Sequence, residues 1–180
     1  MKRFLLFTVA TILSLASASA QNPLRAKAVC GPYVQCMSET GFTVIWTTDM
    51  DAVAWVEVAP DDGTHFYNKE RDKYYDARGN GVYPIGKIHK VEVDGLEPGT
   101  TYRYRIMYKG VTAYNGSGDV QYTKASGSDV YKGEPYKVTT FRNEYESIRF
   151  DIYNDIHGKD SLFNLILAGA RENRDFVFLN

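Results

Sequence analysis

The sequence predicts a mainly β chain, an antiparallel β-sandwich followed by one short β-α-β unit. Three observations predict it. Over residues 29–141 the apolar segments are short, rich in β-branched and aromatic residues, and separated by Gly, Pro, Asp and Asn turn signals, as in antiparallel strands. No part of that stretch shows a convincing helical period. After residue 147 the period changes: an apolar run at 148–153 precedes Phe163, Ile166, Leu167 and Ala170 at i, i+3, i+4 and i+7, and a second run, Phe176-Val177-Phe178-Leu179, follows.

Taken in order, Tyr33-Val34-Gln35-Cys36 is the first expected strand. Phe42-Thr43-Val44-Ile45-Trp46-Thr47 alternates so that Phe42, Val44 and Trp46 share one face, which makes Trp46 a core anchor. In the next segment Ala54, Val56 and Val58 point inward, and Trp55 and Glu57 outward. An outward tryptophan needs cover, and a neighbouring domain is one candidate. Asp61-Asp62-Gly63 marks a turn, 64–68 a short strand, and the polar, tyrosine-rich stretch 70–86 a long loop. Strand character returns at 87–93, with His89, Val91 and Val93 on one face. Leu96-Glu97-Pro98-Gly99-Thr100-Thr101-Tyr102 then leads into alternating Tyr102 to Ile106; Arg103 and Arg105 read as an outer strand face with no site role. The spacing fits a tyrosine corner, in which the phenol bonds back to backbone just upstream. Asn115-Gly116-Ser117-Gly118 between two β-rich flanks reads as an extra hairpin, within an insertion over 109–135 of a length that is commonly functional or mobile. Residues 136–141 form the last sandwich strand and 143–147 a charged linker.

The first twenty residues have the pattern of a secretory signal: Lys2 and Arg3, an apolar run too short to span a bilayer, and Ala18-Ser19-Ala20 before Gln21. Export to a periplasm or to the outside is expected, with no membrane attachment after cleavage. The formal net charge is −1, and loss of Lys2 and Arg3 makes it more negative, so neither nucleic acid nor an anionic membrane is an expected partner. Oligomeric state is not legible. Cys30 and Cys36 would lie roughly 20 Å apart on one extended strand at about 3.3 Å per residue, too far for a disulfide unless Gly31-Pro32 folds the chain back. Buried free thiols are the expectation.

The Leu-x-Pro-Gly-Thr-x-Tyr run with Trp46 on an early strand resembles fibronectin type III domains, over residues 29–141. The resemblance implies a domain at 21–142, and the long insertion departs from it.

Asn154-Asp155-Ile156-His157-Gly158 stands between the strand-like run and the helix. An Asp-x-His triplet alone would arise by chance in about one in five chains of this length. Its context adds weight: it follows a buried-looking strand, precedes a helix that Asp160 or Ser161 could cap, and ends in a glycine that permits a tight turn. Ligands of open α/β layers gather at the carboxyl ends of strands. The bland reading, Asp155 as a helix cap and His157 as a solvated turn residue, stands beside this one. His65 reads as an exposed turn residue and His89 as a core residue.

With the helix and Asp175-Phe176-Val177-Phe178-Leu179-Asn180, this motif resembles the metallophosphoesterase superfamily, the calcineurin-like and purple acid phosphatase-like enzymes, in which a fibronectin-like domain often comes first. The resemblance implies that residues 148–180 begin an α/β catalytic domain, here incomplete. Asp155 and His157 would be ligands of the first metal. A dinuclear centre of iron, manganese or zinc would hydrolyse a phosphate-ester substrate. The family's Gly-Asp and Gly-Asn-His motifs would lie beyond Asn180, so no catalytic residue is assigned and these 180 residues alone are expected to be inactive. The alternative from another class is a secreted binding or adhesion module whose tyrosine-rich loops recognise a glycan or a protein.

Overall fold

The computed structural model describes residues 24–76, 83–144, 147–154, 158, 160–169 and 174–179. Strand β1 (Ala28–Gln35) pairs antiparallel with the first half of the long β2 (Phe42–Pro60), whose other edge there takes β4 (Gly86–Val93). The second half of β2 pairs with β3 (Asp72–Tyr75) on one side and β5 (Thr101–Tyr114) on the other, and β7 (Ser126–Gly127) and β8 (Tyr136–Thr139) continue that leaf beyond β5. Because β2 serves both leaves, it must turn between them. It does so around Thr48–Ala52, where the Thr48 hydroxyl donates to the Met50 carbonyl at 2.7 Å and Ala52 pairs with both Gly86 and Gly110.

The alternation read from the sequence places the core. Phe42, Val44 and Trp46 from the first half of β2 and Ala54, Val56 and Val58 from the second are buried, and meet Val91, Val93, Tyr104, Ile106 and Tyr108. Trp46 is fully buried with its ring 5.2 Å from that of His89, whose Nε2 lies 2.9 Å from the Thr48 hydroxyl. Truncating such a side chain to alanine costs about 3–5 kcal/mol. The tyrosine corner forms as expected: the Glu97 amide donates to the Tyr102 phenol at 2.9 Å. The extra hairpin is present too, with β6 (Val120–Tyr122) folding back on the end of β5 and Asn115 closing the turn by accepting from the Ser117 amide at 3.0 Å.

Several local expectations change. The 64–68 segment is a turn rather than a strand, closed by the Asn68 amide donating to the His65 carbonyl, and the expected long loop contains β3. The first strand begins five residues earlier than expected, at Ala28, and ends before Cys36. Cys30 and Cys36 are free, as expected, but exposed rather than buried: Cys30 lies on β1, an edge strand, and Cys36 just past its end. Trp55 needs no neighbouring domain for cover: Tyr75 of β3 lies over it at 6.0 Å, and it is 9 % exposed. Arg103 and Arg105 do point away from the core, yet both are buried, for the reason developed below.

Strand β9 (Phe150–Tyr153), helix α1 (Asp160–Ala168) and β10 (Phe176–Leu179) form the expected β-α-β unit, with β9 and β10 parallel and Phe150 opposite Phe176. The Asp175 carboxylate accepts from the Arg149 amide at 2.8 Å and fixes that register. No helix among the described residues is long and apolar enough to cross a membrane. The leader read at 1–20 lies outside the described residues.

Candidate functional site

The sequence-predicted metal ligands, Asp155 and His157, lie outside the described residues; the described residues that precede them in sequence are the carboxyl end of β9. Tyr153 closes that strand, its ring 6.0 Å from Phe163 of α1, which ties strand to helix. Its phenol donates to Asp151 at 3.2 Å, and desolvation together with that carboxylate raises its pKa. Arg174 answers Asp151 from the strand's other side at 3.4 Å. Gly158, next in sequence, has φ +64 and no described atom within 4 Å of where a Cβ would stand, so its turn is open. Among the described residues no group of three or more His, Cys, Asp or Glu side chains is placed to hold a metal.

A second polar centre lies on the outer face of the β3–β2–β5 leaf, where the sequence reading assigned none. Register places Glu57 opposite Arg105 and Ala59 opposite Arg103, and the segment 61–76 folds over them. Glu57, 5 % exposed, accepts from the Trp55 indole at 3.0 Å and from the Tyr67 phenol. Arg105 Nη1 donates to the same phenol at 2.7 Å, and its guanidinium sits 5.5 Å from the Tyr67 ring centre. Burial and the bond to Glu57 push the Tyr67 phenol up to about 12. Arg103 is bonded through all three of its nitrogens: it donates to the Pro60 carbonyl at 2.9 Å, the Thr64 carbonyl at 2.6 Å and the Asp62 carboxylate at 3.0 Å. Bonds from Thr64 and the nearby Arg103 charge lower the Asp62 pKa. Arg71 likewise reaches the Phe66 carbonyl and, at 2.6 Å, Asn68.

Arg105 is different. It is 8 % exposed, its Nε is buried with no partner, and a cavity of about 380 Å³ opens against it. Arg25, Ser126, Ser128 and Asp129 contribute to the lining. The Asp129 carboxylate accepts from the amides of Tyr131 and Lys132, bonds that lower its pKa with smaller help from the charges of Lys132 and Arg105. The exposed Tyr131 ring stacks 5.8 Å from Tyr67. The outward parity of Trp55, Glu57, Arg103 and Arg105 was legible; the covering segment that buries them was not.

A wider cleft of about 960 Å³ lies between the sandwich and the β-α-β unit, where Arg142, Arg149 and Arg174 are interleaved with Glu144 and Asp175. Three guanidinium groups face two carboxylates there, and no single group dominates it.

Comparison with known proteins yields no match among curated sequences. The family model described as purple acid phosphatase, N-terminal domain, matches residues 31–121, which run from the end of β1 through the β5–β6 hairpin. That span is just over half of the chain and contains the strand-switching β2, the tyrosine corner and the buried face of β5. The chain therefore belongs to the purple acid phosphatase N-terminal domain family.

Proposed function

We propose that this chain is the exported leading part of a metal-dependent phosphoesterase, its sandwich preceding a catalytic domain that begins at β9. The observation that carries the reading is order: a sandwich of the purple acid phosphatase N-terminal family is followed by a parallel strand-helix-strand unit, with Asp155 and His157 between the first strand and the helix. A carboxylate and an imidazole two residues apart suit iron, manganese or zinc, and the open turn at Gly158 offers no steric obstacle. Asp155 and His157 would hold the first metal of a dinuclear centre, which when bound supplies an activated water and a clamp on the phosphoryl oxygens. The chain's own part is to present both donors from one backbone turn. β9 and α1 would brace that turn through Tyr153 and Phe163.

The surface of the β-α-β unit supports the same reading. Phe150, Ile152 and Phe178 on the strands and Leu162 and Leu165 on the helix are exposed, which suits a unit that further layers cover. The intact gene product should hydrolyse a generic phosphomonoester when supplied with manganese, zinc or iron, whereas residues 1–180 alone should not. Robust turnover by those residues alone would refute the assignment of the chemistry to a larger catalytic domain. Absence of turnover by the intact product with every metal would refute the phosphoesterase reading.

A further inference from the structure

We propose that the cavity beside Arg105 binds an oxyanion, the carboxylate or phosphate group of a hydroxylated ligand such as an acidic sugar. The inference concerns the sandwich alone and is independent of the metal centre.

A guanidinium has five N–H donors, and burying it is tolerable only when they are met. The three buried arginines of this face make the comparison internally. Arg103 reaches two carbonyls and a carboxylate, and Arg71 a carbonyl and a side-chain amide. Among the described residues Arg105 donates one hydrogen bond, to Tyr67, and its Nε has no partner although the residue is more than nine-tenths buried. The nearest carboxylates do not fill the deficit. Glu57 is engaged by Trp55 and Tyr67, and Asp129, which takes two backbone amides on one oxygen, makes no hydrogen bond to Arg105. Arg105 lines the 380 Å³ cavity, with Arg25 on its wall as a second cation.

The other lining groups select the rest of the ligand. Ser128 Oγ accepts from the Ile106 amide at 3.2 Å, which leaves its hydroxyl proton to donate, and Ser126 adds a second hydroxyl. Asp129 offers an acceptor to ligand hydroxyls, so a ligand with an anionic group at one end and hydroxyls at the other matches the wall better than a bare anion. Tyr131, 67 % exposed, stacked on Tyr67 and two residues beyond Asp129, offers an aromatic face on which a sugar ring can lie. Gly127 permits the close approach: a Cβ there would stand 3.0 Å from Arg105 Nη2 and 2.5 Å from the Ile106 carbonyl oxygen.

Isothermal titration of the full chain with glucuronate, glucose 6-phosphate, inorganic phosphate and glucose tests this. Saturable binding in the millimolar range or tighter is expected for the anions, and none for glucose. Preference for glucuronate identifies a carboxylate ligand, and preference for the two phosphates identifies a phosphate ligand. Arg105→Lys, which keeps the charge and loses the fork, and Arg25→Ala at the rim should each weaken binding at least tenfold. The Arg25 variant leaves the buried network intact and so remains informative if the Arg105 variant fails to fold. Heat silence with every anion, equal binding of glucose and glucuronate, or undiminished binding in Arg25→Ala would overturn the proposal.

Discussion

Tyr67 joins a carboxylate and a guanidinium through one phenol, donating to Glu57 and accepting from Arg105. With its pKa raised from 10.0 to about 12, the folded state holds this proton where the unfolded chain releases it. The stability it lends is present in full below pH 10 and is lost as pH rises from about 10 through about 12. An ultraviolet titration should show a late phenolate, one fewer in Tyr67→Phe; an unchanged count would remove the network from the account. Tyr104, raised to about 12 by burial and then by Tyr136, should remain as a second late group. At the corner, Tyr102→Phe removes the acceptor of the Glu97 amide and should cost about 1 kcal/mol in denaturant unfolding.

At the scale of elements, close approach of backbones decides which glycines matter. A Cβ on Gly41, at the entry to β2, would stand 2.3 Å from the Val93 carbonyl oxygen at the end of β4, whereas one on Gly86, at the start of β4, meets nothing within 4 Å. Gly41→Ala should therefore lose about 1–3 kcal/mol and Gly86→Ala should stay within about 0.5 kcal/mol of the parent by chemical denaturation. Period-2 alternation made β2, β4 and β5 legible in advance, along with Trp46 as anchor, because each buries one face against a single core. What alternation cannot supply is the cover on the other face. Glu57 and Arg105 are partners only once register is known, and Trp55 and Arg103 are buried only because 61–76 folds back over them. The same limit explains the thiols: Cys30 has the composition of a core residue and the position of an edge one. The Asp-x-His pair was legible as donor chemistry in a strand-to-helix setting, and its two residues fall outside the described structure.

At the scale of the molecule, stability is unevenly distributed. Among the described residues every fully buried large side chain belongs to the sandwich, and no residue of β9, α1 and β10 whose burial is described is buried. Amide exchange should accordingly be slowest in β2, β4 and β5 and fastest in α1, and a protease should cut near the 143–147 linker before it opens the sandwich. Equal protection of α1 and β2 would contradict that division. The division also bears on function: a well-packed carrier joined to a unit with exposed Phe150, Ile152 and Leu165 suits a chain whose chemistry is completed by a larger catalytic domain. The most direct test of that claim is the metal content of the intact gene product, measured by mass spectrometry beside phosphomonoester turnover, for the parent, Asp155→Asn and His157→Asn. About two metal ions per chain are expected in the parent, with loss of at least one in each variant and turnover reduced at least 100-fold with them. Full metal content and full turnover in both variants would contradict that claim.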